Sequence, residues 1–376
     1  MMDALAAELT GLDAVLAERL AAHRFDPVGF LRRATRLTDP AAMDNRIRHE
    51  VEPPRERDLL TLPPAGSEEE RGLRLRGLEL LSEGRVALAV LAGGMATRMG
   101  GVVKALEEAI PGRTFLDLRL AERRTLGREV GRDVPLWLMA SAATHDVIRD
   151  ALRERDTDDA VATFRQHLSL RLTPDGRLFR DDAGQPSEYA TGHGDIVDAA
   201  RESGLLGRFV ERGGRVVTIA NLDNLGASLD PVVIGLHAER GRPATCEAVE
   251  KRPTDRGGIP VRVGDRTVVL EEFRLPSGFD AARVRVFSTN TFHVDARALL
   301  ALHPEWTYFV VEKQVQGRVA VQFERLVNEI TAHLDTVYLR VPREGAGSRF
   351  LPVKDRAELD RRRPEIEAVG RARGML

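Results

Sequence analysis

The segment Leu91-Ala92-Gly93-Gly94-Met95-Ala96-Thr97-Arg98-Met99-Gly100-Gly101, with Lys104 soon after, joins a run of glycines to two cations. Glycines let a backbone come close to a phosphate or base, and their N–H groups can cradle anionic oxygens. Arg98 and Lys104 add positive charge beside them. The Gly-Lys-Ser/Thr ending of a Walker A loop is missing, and the spacing does not fit the dinucleotide fingerprint.

Three further segments carry chemistry. In Thr191-Gly192-His193-Gly194-Asp195 two glycines flank a histidine before a probable helix. The glycines suggest close approach by a ligand, and Asp195 is placed to cap the helix. In Asn221-Leu222-Asp223-Asn224-Leu225-Gly226 a carboxylate follows an apolar run directly, where it can hold Mg²⁺ against a triphosphate or simply cap a turn. Ser348-Arg349-Phe350-Leu351-Pro352-Val353-Lys354 ends on a lysine in a chain whose lysines stand only at 104, 251, 313 and 354. A flexible ammonium is a compact cation for charge developing on a phosphoryl group.

These residues need elements to hold them. Val86–Leu91, Leu136–Met139 and Val216–Ala220 are short apolar runs of the kind found in buried parallel strands. Helical patterns lie between them, as in Thr144–Arg153, and this alternation predicts a three-layer α/β sandwich. Ligands of open α/β sheets bind at the carboxyl ends of the strands, where the glycine-rich segment and Asp223 both fall. Hairpins are expected around Thr173-Pro174-Asp175-Gly176 and Gly264-Asp265-Arg266, which makes the sheet mixed. Leu5, Leu9, Leu12, Leu16 and Leu20 form an amphipathic helical stripe, and Glu52–Arg57 with Pro63-Pro64 reads as a linker or wrap. The expected organisation is a helical N-terminal region over 1–80, a core over 81–335, and a C-terminal segment over 336–376 with a helix near Arg356–Gly370.

Acids number 58 and bases 56, which disfavours partners held by bulk charge, such as duplex DNA or an anionic membrane. The single cysteine, Cys246, permits no internal disulfide and no cysteine metal site. No run approaches a membrane span, and the acidic N-terminal helix is unlike a secretory leader, so a cytoplasmic protein is expected. Oligomeric state is left open.

Taken in order, these segments resemble the UTP–glucose-1-phosphate uridylyltransferase (UDP-glucose pyrophosphorylase) family. The likeness runs from about Val86 to Lys354 and includes Leu138-Met139-Ala140-Ser141, Gln166, Ser288-Thr289-Asn290-Thr291, Val321-Gln322-Phe323-Glu324 and Val341-Pro342-Arg343. The resemblance implies a Rossmann-like nucleotidyltransferase fold, UTP and a sugar 1-phosphate as substrates, and Mg²⁺ as cofactor. It implies nucleotide contacts at Leu91, Gly93 and Gly94, and uracil-side contacts at Met139 and Gln166. Gly192 and His193 would lie between uridine and sugar phosphate. Asn221 and Asp223 would contact nucleotide and sugar, with Asp223 the metal ligand, and Asn290 and Glu324 would face the sugar. Lys354 would be the catalytic lysine, with Lys104 facing the β- and γ-phosphates and Arg98 beside it. Ala96 stands where much of the family has glycine, Lys104 lacks a preceding proline, and Glu344-Gly345-Ala346-Gly347 lengthens the approach to Lys354. The chain continues about twenty residues beyond Lys354, too few for the β-helix of eukaryotic members. Galactose 1-phosphate or an N-acetylhexosamine 1-phosphate stands as an alternative substrate, and a non-catalytic nucleotide-sugar-binding protein as an alternative role.

Overall fold

The computed structural model of the chain describes residues 2–96, 101–155 and 157–376. Its centre is an eight-stranded sheet built from β1 (Leu59–Thr61), β2 (Val86–Leu91), β3 (Leu136–Ala140), β4 (Val161–Arg165), β5 (Val216–Asn221), β6 (Ala244–Glu250), β7 (Val286–Asp295) and β8 (Thr336–Arg340). The spatial order is β1-β8-β6-β7-β5-β2-β3-β4. β7 runs antiparallel to both its neighbours, β5 and β6, and the other neighbouring pairs are parallel. The mixed α/β sheet expected from the sequence is therefore present.

Alternation along the strands sorts side chains to two faces. Val86, Leu88, Val90, Leu136 and Leu138 join one core with Phe115, Leu116, Ile148, Leu359, Ile366 and Val369. These come from helices Phe115–Val130, His145–Glu154 and Arg356–Ala372. Ala87, Ala89, Trp137, Val217 and Ile219 join the opposite core with Ile196, Leu206, Leu299, Ile259 and Val261. Helices on both faces make three layers. The C-terminal helix begins at an Asp355 cap that accepts from the Glu358 N–H.

Both expected turns are antiparallel. Gly258–Val263 pairs with Arg266–Glu271 through a Gly264-Asp265 turn, one residue shorter than read from the sequence. Around Gly176 the hairpin is smaller than expected, a Leu172–Leu178 bridge, and Leu168–Leu170 takes Glu188–Ala190 as its partner instead. The stretch read as linker is partly strand. Val51–Glu52 pairs with Val263 and Arg262, and Leu59–Thr61 adds an edge to the main sheet beside Tyr338–Arg340. Proline and charge obscured these because edge strands tolerate both. The N-terminal leucine stripe packs Leu5, Leu16 and Leu20 on Leu168, Leu170, Leu178, Val321 and Phe323.

The order of strands reverses beside β2. The chain leaves β2 for β3 on one side, and β5 lies on its other side. Ligands of open α/β sheets bind at such a reversal, outside the carboxyl ends of the strands. Asn221 and Leu91 are register partners there.

Candidate active site

Following β2, Met95–Ala96 pairs antiparallel with Val102–Val103. Arg98 lies outside the described residues. The pairing returns Lys104 to the crevice. Lys104 Nζ donates to Asp223 Oδ2 and to the Val353 carbonyl, each at 2.5 Å. One ammonium thus joins three segments separated by more than a hundred residues in sequence. The Lys104 and Asp223 side chains are 18% and 19% exposed, so the pair stays open to a ligand.

The loop after β5 is held from beneath by Arg119, which is fully buried. Its guanidinium donates to the Ala227 carbonyl at 2.8 Å, to that of Asn224 at 2.6 Å and to that of Asn221 at 3.2 Å. Asn224 then clips the Lys354 segment, accepting the Leu351 N–H at 2.7 Å and donating to the Arg349 carbonyl at 3.2 Å. A Cβ on Gly226 would stand 2.6 Å from Arg349 C and 2.7 Å from Phe350 N, so the two backbones cross where glycine alone fits. The Arg349 guanidinium is buried against Glu247, donating through Nε at 2.7 Å and Nη2 at 2.5 Å. His293 completes the group, 2.7 Å from Glu247 and 3.0 Å from Thr218 Oγ1. Burial alone would raise the Glu247 pKa; the Arg349 charge and the hydrogen bonds from His293 and Arg349 outweigh it and hold the carboxyl at about 2.

Between β6 and β7 the register shifts, with Cys246 opposite Phe292 and Ala248 opposite Ser288. The bulge puts Asn290 in the left-handed region at φ 58°, a conformation that asparagine tolerates. Its amide donates to Asn221 Oδ1 at 3.1 Å. Asn221 and Asn290 thus meet where β5 ends.

A second group lies further along the edge. A Cβ on Gly93 would meet Gln166 Oε1 at 2.6 Å, whereas Gly94 faces open space. Gln166 Nε2 donates to the Gly192 carbonyl at 2.6 Å. Gly192 has φ 108°, and a Cβ there would stand 2.2 Å from the Arg325 carbonyl. The chain's own Arg325 backbone makes a close approach that requires glycine at 192 and 194. Asp195 also differs from expectation. It makes no side-chain cap; it accepts from Thr191 Oγ1 and the His167 N–H and pairs with the buried Arg325 guanidinium. His193 Nδ1 accepts the Val327 N–H at 3.0 Å, which leaves Nε2 as the protonated nitrogen of the neutral ring. Burial lowers its pKa against the opposing pull of Glu324 and Asp195. Glu324 ends the hairpin strand Arg318–Glu324, accepts from Gln322 and lies 3.5 Å from Lys313. Met139 is 1% exposed, packed in the core, and its carbonyl accepts the Ala92 N–H.

Lys354 follows Val353 directly, so its backbone reaches the crevice. The Lys354 N–H donates to Glu358 Oε2 at 2.8 Å. Its exposed side chain lines a cavity of about 790 Å³ with Phe287, Phe350, Arg252 and Arg343. Arg343 is fixed there by a two-pronged pair with Asp255, at 2.7 and 2.8 Å. The structure brings together Leu91, Lys104, Asn221, Asp223, Asn290 and the Lys354 backbone, and places Gly93, Gln166, Gly192 and His193 beside them. Arg119, Asn224, Glu247 and Arg325 escaped sequence reasoning.

A profile of the UTP–glucose-1-phosphate uridylyltransferase family matches residues 29–360. The chain belongs to that family. The UTP–glucose-1-phosphate uridylyltransferase of Musa acuminata is 30% identical over 292 residues, 73% of this chain and 62% of the relative. That of Saccharomyces cerevisiae is 28% identical over 295 residues, 73% of this chain and 58% of the relative. The chain thus spans about three-fifths of the length of these relatives. Among solved structures, a uridine diphosphate N-acetylglucosamine pyrophosphorylase from Trypanosoma brucei has a TM-score of 0.73 at 18% identity, over 88% of this chain and 75% of that one. A UDP-glucose phosphorylase from the same organism has a TM-score of 0.73 at 20% identity, over 95% of this chain and 77% of that one. This member shares their fold.

Proposed function

We propose that this family member joins UTP to a sugar 1-phosphate, glucose 1-phosphate first among candidates, and releases pyrophosphate. The observation that carries the reading is the Lys104 ammonium bridging Asp223 and the Val353 carbonyl. It gathers the glycine-rich, Asp223 and Lys354 segments at the strand-order reversal, where ligands of open α/β sheets bind. In this reaction the sugar phosphate oxygen attacks the α-phosphorus of UTP in line, forming the new P–O bond as the bond to pyrophosphate breaks. The nucleophile is already an anion, so positioning and charge neutralisation supply the rate. Gly93 and Gly94 offer backbone N–H groups, Lys104 and Lys354 offer cations, and Asn221 and Asn290 orient hydroxyls.

Mg²⁺ belongs to this proposal, and the donor set fits it. Among the described residues no group of three or more His, Cys, Asp or Glu could hold a metal alone. Mg²⁺ in nucleotide sites is bound by one or two carboxylates together with substrate phosphates and water, and Asp223 would supply the carboxylate. When bound, it neutralises phosphate charge. A cytoplasmic location is part of the same reading, supported by a single cysteine that is buried and unpaired. No helix among the described residues is long and apolar enough to cross a membrane. The test is pyrophosphate release from UTP with a panel of glucose, galactose and N-acetylglucosamine 1-phosphates. Preference for glucose 1-phosphate is expected; equal rates on all three overturn that choice, and no release with any overturns the enzyme reading.

A further inference from the structure

We propose that Arg373 is a positioning residue that clamps the Lys354 segment to the Asp223 loop. Arg373 caps the end of helix Arg356–Ala372, which begins two residues after Lys354. Its Nη1 donates to the Leu225 carbonyl at 3.0 Å and to that of Gly226, and its Nη2 donates to the Ser348 carbonyl at 2.7 Å. Arg373 therefore closes a ring of chain from Ser348 to itself, with Lys354 inside, and fastens that ring to the loop that carries Asp223. At the other end of the ring Arg349 donates to the Ser228 carbonyl at 2.9 Å. With Arg119 on Asn221, Asn224 and Ala227, three guanidinium groups bind successive carbonyls of one loop.

Apolar packing already seats this helix through Leu359, Ile366 and Val369. What Arg373 adds is direction: a planar fork with donors on both prongs sets two backbones at a fixed offset, which a sliding apolar contact does not. Burial and the neighbouring Arg349 charge lower the Arg373 pKa to about 10, so the cation is kept here against both. The consequence is that the spacing of Lys354 from Asp223 is set from a residue that touches neither.

The inference rests on the reading of Lys354 and Asp223 as reacting groups. Its test is Arg373→Ala in the full chain. We expect kcat to fall about ten- to a hundredfold with KM for UTP within about twofold, as a displacement of about 1 Å costs. Added guanidinium ion should restore part of the loss, and Arg373→Lys should keep more activity than Arg373→Ala. Guanidinium should not rescue Lys354→Ala. Amide hydrogen exchange should quicken at 221–228 and 348–355 and stay unchanged in β2 and β5. Unchanged kcat, unchanged local exchange, or a general loss of protection without guanidinium rescue would each overturn the clamp. If the unaltered protein releases no pyrophosphate from any sugar phosphate, the enzyme reading fails separately, and the exchange pattern alone decides whether the clamp exists.

Discussion

Lys104 Nζ rests 2.5 Å from Asp223 Oδ2, so the cation expected to meet phosphate is held by the carboxylate expected to meet metal. Each group holds the other in place. Lys104→Met should lower kcat/KM about ten- to a hundredfold by leaving the carboxylate facing an anionic substrate uncompensated. Raising Mg²⁺ should recover part of the loss. An activity indifferent to the substitution across a Mg²⁺ titration would separate Lys104 from the chemistry.

Lys354 lines the cavity beside Phe350 and Arg343, and its backbone is fixed through Val353 and Glu358. Lys354→Ala should reduce turnover by about two orders of magnitude while the thermal midpoint stays within a few degrees, since the side chain is exposed. Steady-state kinetics beside a melting curve checks both halves.

Asp223→Asn removes the carboxylate charge but preserves its shape. The variant should need more Mg²⁺ for half-maximal rate and show a shallower dependence on it. Full activity of the unaltered protein in excess chelator would remove Asp223 from metal binding.

Gly226→Ala should destabilise the fold by about 1–3 kcal/mol, because its Cβ would press on backbone that has no rotamer to yield. It should also depress activity more than its stability loss predicts, by lifting the Lys354 segment from the loop. Denaturant unfolding with parallel rate measurements tests this, and a neutral result would mean that the crossing is looser than described.

Glu247 gives the acid limit. Its folded pKa of about 2 lies below the ordinary 4.5, so its contribution is complete above the ordinary value and is lost as pH falls from there towards 2. His193 acts in the same direction at higher pH: its depressed pKa favours the neutral ring, so stability falls as pH drops below about 6.5. The thermal midpoint should be flat near neutrality and decline in two stages on acidification. Glu247→Gln should flatten the lower stage, and a decline identical in that variant would place the acid sensitivity elsewhere.

The strands that build the crevice were legible because β2, β3 and β5 are short apolar runs, two of them cut off by glycines or a carboxylate. The residues along its rim were legible through their order, as a resemblance. The supports were not. Arg119 sits in the charged sequence Asp117-Leu118-Arg119-Leu120, where an arginine reads as solvated, yet it is fully buried. What buries it is a set of carbonyls about a hundred residues away, which no local pattern encodes. Asp195 was misread for the same reason: its partner Arg325 lies 130 residues on, and that pairing outcompetes a local cap. The bulge at Asn290 likewise depends on which strands flank β7.

Because β2 and β5 are hydrogen-bonded neighbours, the floor of the crevice has a width that no ligand can alter. The parts free to differ hang from its rim: the paired segments 95–96 and 102–103, the strand that ends at Glu324, and the 343–348 loop. Under the proposed function, divergence in which sugar is accepted can therefore accumulate in those overhangs while the ground plan beneath them is inherited whole.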